Sequence, residues 1–178
     1  MEKYRAAVIG LGRMGSTFDD EIEQGGSIVL PYCHAPTYDA HSQIELIAGA
    51  DPHDEQRTIF GERWGVSDHV YSDHRDMLAQ EKPDIVSIAT TARIRAQLLL
   101  DVVDAGVKGI WAEKPLALSL EDADKMVQVC QEKGVALAVN CARRYNAYFA
   151  ETRQMIENGD LGDILQITAY TQCGLSHN

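Results

Sequence analysis

AAVIGLGRMG, residues 6–15, runs four small or branched apolar residues into three glycines spaced G-x-G-x-x-G. Ala6 to Ile9 is a short buried strand, and each glycine after it answers a different steric demand. Gly10 makes the tight turn, Gly12 leaves the backbone bare so that a ligand can approach, and Gly15 lets the following helix pack closely on the strand. A helix opened here presents unpaired N–H groups and a partial positive charge, a fit for phosphate. Arg13 adds a cation, and Arg13 and Met14 fill the gap before the third glycine.

The rest of the chain repeats strand and helix. Ile44–Ala50 (IELIAGA) ends at Asp51-Pro52, Val70-Tyr71 is a brief strand, and Asp84–Ala89 (DIVSIA) is almost wholly apolar, as a strand covered on both faces must be. Val107–Ala112 and Val135–Val139 complete six strands. Helices are predicted over Arg93–Ala105, stopped by Gly106; over Ser119–Lys133, opened by Ser119-x-x-Asp122 and closed by Gly134; and over Ala147–Asn158, ended by Gly159. This pattern predicts an α/β fold, a Rossmann-type doubly wound parallel sheet. Asp163–Gln172 (DILQITAYTQ) reads as a further strand that opens a second α+β domain which the chain leaves incomplete. The expected division is 1–145 for the dinucleotide-binding domain and 146–178 for a linker helix and the first strand of the next. Asp19–Tyr38, with Gly-Gly and two prolines, is longer than a minimal connection; it reads equally as a surface excursion and as a cleft wall.

A carboxylate at the end of the second strand, Asp51, can accept from both adenosine ribose hydroxyls and repels a 2′-phosphate. NAD is therefore expected over NADP, although Arg57 leaves the phosphorylated form open. No G-K-[ST] follows the glycines, which excludes a Walker-type loop, and the third glycine argues against a methyltransferase.

With 27 acidic against 16 basic residues, the chain carries a formal charge of −11, a field that repels nucleic acid and anionic membrane surfaces. It shows no apolar run long enough for a membrane span and no signal-peptide pattern, so a cytoplasmic location is expected. Four scattered cysteines suggest reduced, mostly buried thiols. His53, His69, His74 and Asp73 read as polar loop residues without ligand spacing, and no metal is expected.

Gly109–Ser119 (GIWAEKPLALS) places Glu113 and Lys114 at the carboxyl end of the fifth strand, where open parallel sheets bind ligands. Adjacent strand residues point to opposite faces, so the two side chains have different tasks. Pro115 stiffens the turn, with a cis bond as one route. An ammonium above a reacting oxygen stabilises developing charge, and its neutral form accepts a proton; burial would lower the lysine pKa toward working pH. The competing reading of Lys114 is a structural ion pair.

In order, the glycine turn, Asp51, Asp84-Ile85-Val86-Ser87-Ile88-Ala89-Thr90, Glu113-Lys114-Pro115-Leu116, Asn140–Tyr145 (NCARRY) and Gly159-Asp160-Leu161-Gly162 cover most of the chain. This set resembles the N-terminal half of the glucose–fructose oxidoreductase, inositol 2-dehydrogenase and MocA (Gfo/Idh/MocA) oxidoreductases. The resemblance implies NAD(P)-dependent hydride transfer with a secondary alcohol or ketone of a sugar, cyclitol or related polyol. It makes Lys114 the catalytic-cleft lysine, Glu113 a holder of the nicotinamide ribose and Thr90 part of the cofactor cleft. Arg144 and Tyr145 would lie beneath the substrate, and a homo-oligomer would form through the missing domain, which also supplies the lysine's Asp and His partners. The family commonly has Thr-Pro-Asn-x-x-His after the fourth strand. Here Thr90-Thr91-Ala92-Arg93-Ile94-Arg95 stands instead. Arg95 then reads either as a contact to an anionic substrate or, with Arg93, as a first-turn surface residue. A hydride-shuttling glycosidase on the same fold and a non-catalytic dinucleotide sensor are the rival functions.

Overall fold

A computed structural model describes residues 3–22 and 30–170. Two compact units divide the chain, Met1–Asn140 and Cys141–Asn178. The first is a six-stranded sheet of order β3-β2-β1-β4-β5-β6, in which every pairing is parallel. Its strands are β1 (Tyr4–Ile9), β2 (Ile44–Ala50), β3 (Val70–Tyr71), β4 (Ile85–Ile88), β5 (Gly109–Ala112) and β6 (Ala136–Val139). The order reverses between β1 and β4, and open parallel sheets bind ligands at such a point, beyond the carboxyl ends of the strands.

Alternation within the strands separates two apolar layers. Ala7, Ile9, Val86, Ile88, Ile110 and Ala112 face one side, beneath α3 (His74–Glu81), α4 (Ala92–Asp104) and α5 (Leu120–Lys133). Ala6, Val8, Leu46 and Trp111 face the other, beneath α1 (His34–Ala40) and α2 (Asp54–Trp64). In α4, Leu98, Leu99, Val102 and Val103 form the buried stripe expected from their spacing. Ser119 caps α5 by accepting from the Asp122 amide, and Gly134 closes it in the left-handed conformation at φ 69°.

Several expectations change. The glycine turn opens not a regular α-helix but a single π-helical turn, Arg13–Thr17, followed by a 3-10 turn, Phe18–Glu21. Gly15, Ser16 and Thr17 are weak helix formers, so nothing local prolongs the first turn. Asp19–Tyr38 is not a mere surface excursion: its part at 23–29 lies outside the described residues, but it returns as α1, whose His34, Ala35 and Tyr38 are buried. Asp73, His74 and His69 are not loop ornaments. Asp73 caps α3 through the Arg75 amide, His74 contacts Asp101 at 2.7 Å, and His69 contacts Glu81 at 2.7 Å. Cys33 and Cys130 are buried, but Cys141 is exposed. Burial pushes the Cys33 thiol up to about 12, which makes it unreactive.

The second unit holds a 3-10 turn, Ala142–Tyr145, and α6 (Ala147–Glu157), capped by Asn146. The strand predicted over Asp163–Gln172 does not form in its described part: residues 163–170 are exposed and outside any ladder. Alternating sequence cannot hold a strand without a neighbour to satisfy its N–H and C=O groups. No helix among the described residues is long and apolar enough to cross a membrane.

Candidate active site at the carboxyl edge of the sheet

The three glycines are packed as their spacing requires. Gly10 has φ +90°, and a Cβ there would lie 3.0 Å from both the Ala89 backbone and Thr90 Cγ2, so the turn after β1 presses on the turn after β4. A Cβ on Gly15 would sit 2.0 Å from the Gly10 carbonyl oxygen, an impossible contact. At Gly12 the situation is opposite, with Gln56 Oε1 at 3.8 Å the nearest obstacle. Bare backbone at the middle glycine is what a pyrophosphate needs to come close. The first N–H groups of the helical turn behind it have no partner within that turn.

Asp51, 8% exposed, stands immediately after β2. Its Oδ2 accepts from the Leu11 amide at 2.9 Å, and its Oδ1 accepts from the His53 amide and lies 2.9 Å from His53 Nδ1. The carboxylate therefore holds the glycine turn in place and keeps one of its roughly four acceptor positions for a ligand. Arg57 donates to the Asp51 carbonyl and to Asp54. Arg13 is engaged by Glu21 at 2.6 Å, and this partner raises its pKa. Met14 is half-buried beside it.

At the end of β5 the chain places Glu113, 5% exposed, between two neighbours. Asn140, following β6, donates its side-chain amide to Oε1, and His34 Nε2 lies 3.2 Å from the same oxygen. Oε2 accepts from the Lys114 backbone amide at 3.2 Å. Burial works against the charge, but the hydrogen bonds from His34 and Asn140 outweigh it and hold the carboxyl below the usual glutamate range. The Lys114–Pro115 peptide is cis. Lys114 itself is exposed, so the described residues do not supply the burial on which its sequence reading relied.

Arg95 is the main correction. Only 1% exposed, it is not the first-turn surface residue that one of its two readings made it. Its guanidinium donates to the carbonyls of Thr90 and Pro115, stapling the turn after β4 to the turn after β5. Burial lowers its pKa, partly offset by the Glu113 carboxylate. Arg93 is exposed, as expected of a first-turn residue. Arg144 and Tyr145 are exposed in the second unit.

Sequence reasoning missed a buried polar group on the α1 side of the sheet. His34 Nδ1 lies 2.8 Å from Ser87 Oγ, and Tyr38 Oη lies 2.7 Å from the same hydroxyl. The signal was present: Ser87 is the one polar residue in the apolar strand IVSI, and a buried hydroxyl needs a partner.

A G-x-G-x-x-G turn after β1, an aspartate after β2 and a Glu-Lys-Pro turn after β5, all at the carboxyl edge of one parallel sheet, define the class, an α/β nucleotide-binding protein. Residues 4–141 match the family model described as "Oxidoreductase family, NAD-binding Rossmann fold", that of the Gfo/Idh/MocA proteins, and the chain belongs to this family. It is similar to D-glucoside 3-dehydrogenase of Escherichia coli (strain K12), 30% identical over 153 residues that cover 85% of this chain and 43% of that protein. Myo-inositol 2-dehydrogenase of Thermotoga maritima is 26% identical over 167 residues, covering 93% and 45%. Among solved structures, the WlbA dehydrogenase of Bordetella pertussis in complex with NADH and UDP-GlcNAcA is similar at a TM-score of 0.75 and 28% identity, over 90% of this chain and 41% of that one. The chain thus spans less than half the length of these relatives.

Proposed function

We propose that the protein is an NAD(P)-dependent dehydrogenase acting on a secondary alcohol or ketone of a sugar, cyclitol or related polyol, and that this chain is its cofactor-binding half. The observation that carries the reading is the carboxyl edge of the sheet. There a bare Gly12, a positioned Asp51 and the Thr90 turn stand with Glu113 and Lys114 at the ends of adjacent strands β1, β2, β4 and β5. Relatives that act on glucosides and inositol, and a structural neighbour that binds NADH, support the substrate and cofactor classes.

Gly10, Gly12, Arg13, Met14 and Gly15 would hold the pyrophosphate, Asp51 the adenosine ribose, and Thr90 and Glu113 the nicotinamide side. A ribose diol at Asp51 would compete with the exposed His53 imidazole for Oδ1. That acid disfavours a 2′-phosphate, so NAD is the preferred form. When bound, the nicotinamide ring supplies the hydride acceptor or donor. Lys114 Nζ would hold the proton of the reacting hydroxyl and move it as charge develops on that oxygen. Water must be excluded and the lysine buried by the part of the protein outside this chain, which would also carry the partners of Lys114. The break between compact units at Asn140 and Cys141 supports a domain boundary close to residue 145. We place the protein in the cytoplasm, as a homo-oligomer assembled through the second domain.

The test is spectrophotometric. Full-length protein, NAD and a polyol panel should yield the absorbance of reduced nicotinamide. Saturable NAD binding with no turnover on any polyol or glucoside would instead identify a sensor.

A further inference from the structure

Tyr38, Ser87 and His34 have no part in the mechanism above, yet the buried group they form ends on Glu113, the residue next to Lys114. Its proton positions follow from counting donors. Glu113 is an ionised carboxylate held below the usual range, and an ionised carboxylate can only accept. The proton in the His34–Glu113 contact therefore resides on His34 Nε2. Two arrangements remain for the other nitrogen, which lies 2.8 Å from Ser87 Oγ.

In the first, the imidazole is neutral and Nδ1 accepts from the Ser87 hydroxyl. Ser87 Oγ then accepts from Tyr38, and every proton in the series has an acceptor. In the second, the ring is an imidazolium and Nδ1–H donates to Ser87. Ser87 then either donates to Tyr38, whose own O–H, in a side chain 3% exposed, is left without an acceptor in the series, or accepts from Tyr38 as well, which leaves its own buried O–H without one. An orphaned buried donor costs about 1–3 kcal/mol, which weighs against the imidazolium and for the neutral form. Burial, only partly offset by Ser87, raises the Tyr38 pKa far above that of a free phenol, so Tyr38 keeps its proton and ends the series as a neutral hydroxyl. Trp111 completes it, its ring centroid 4.0 Å from that of His34.

We propose that His34, as the neutral Nε2–H imidazole, is a positioning residue of the active-site turn. Ser87 and Tyr38 set its orientation from β4 and α1. It in turn fixes the Glu113 carboxylate, whose Oε2 accepts from the Lys114 amide and so sets where the lysine leaves the sheet. The role in catalysis rests on the dehydrogenase reading; the tautomer and the tie to Lys114 do not.

The experiment combines long-range 1H–15N correlation of the histidine rings in full-length protein with two variants. His34→Gln keeps an N–H donor at the Nε2 position, whereas His34→Leu fills similar space without one. At neutral pH, His34 is expected as the Nε2–H tautomer. The Lys114 amide resonance should move in His34→Leu and stay near the wild-type position in His34→Gln. With myo-inositol or methyl glucoside as substrate, His34→Leu should lose about 10²-fold in kcat, the scale of a misplaced reacting group, and His34→Gln should recover most of it. An Nδ1–H tautomer, an imidazolium, or a Lys114 amide unmoved in His34→Leu overturns the proposal. Equal kcat losses in both variants at equal thermal stability also overturn it, because packing alone would then explain His34. If wild type turns over no member of the polyol and glucoside panel while the ring tautomer and amide shifts behave as stated, the dehydrogenase reading fails and the positioning of the turn by His34 stands.

Discussion

The two ends of the same sheet use charge in opposite ways. At the amino end, Asp84 accepts from the Arg5 backbone amide at 2.9 Å and pairs with Lys108 at 2.7 Å, while Arg5 reaches Glu81 at 3.4 Å. Lys108, hydrogen-bonded to Asp84, and then the Arg5 amide hold Asp84 below the usual aspartate range. Apart from the buried Glu81 carboxylate, these groups lie in or near water, and they tie strands together. At the carboxyl end, Asp51 and Glu113 are nearly buried and accept from backbone amides of turns rather than from lysine or arginine ammonium and guanidinium groups alone. Arg95 there is buried too, and donates only to carbonyls of two turns. Exposed pairing holds a sheet; buried pairing orients loops. Only the second creates a place where a ligand meets groups already aimed.

That contrast can be broken by substitution, starting where the effect is greatest. Lys114→Ala in the full-length protein should lower kcat by about 10²- to 10⁴-fold while leaving NAD affinity nearly intact, measured by steady-state kinetics and calorimetry. Gly15→Ala should come next: its Cβ meets backbone, not a side chain able to turn aside, and overpacking costs about 1–3 kcal/mol, read from urea unfolding, with weakened NAD binding. Asp51→Ala strands the Leu11 amide and should weaken NAD more than NADP; an unchanged cofactor preference would contradict its assignment. Lys108→Ala, at the opposite end, should change stability by only about 0.2–1 kcal/mol and activity not at all.

The contrast also has a pH signature. The folded-state pKa of Glu113 lies below its unfolded value, so its charge stabilises the fold above the ordinary glutamate range, about 4.3, and the contribution is lost as pH falls through the lower folded value. Urea midpoints of wild type and Glu113→Gln should therefore differ near neutral pH and converge in acid. A constant difference across that range would mean that the carboxylate charge is not what the surrounding donors hold.

Sheet and turn signals were legible because they are local. Ile44–Ala50 was placed to the residue, and the Ser119 cap and Gly134 stop stand where their side-chain chemistry put them. Three helices were not read, for physical reasons. α2 buries only Phe60 and Gly61, so its sequence has almost no apolar stripe, and α1 and α3 are only 7 and 8 residues long. Asp163–Tyr170 alternates like a strand but has nothing to pair with among the described residues. Arg95 misled because arginine is seldom buried; its acceptors are carbonyls, which leave no mark in a sequence. His34 and Tyr38, four apart, carried a helical-face signal that the prolines and glycines around them obscured.

The central claim is that a dinucleotide binds at the carboxyl edge. Hydrogen–deuterium exchange of the full-length protein with and without NAD tests it most directly. The account predicts slowed exchange at residues 10–15, 89–91 and 113–114, with no change at 82–84 or 105–108. Protection at the amino end of the sheet, or none at the glycine turn under saturating NAD, would contradict it.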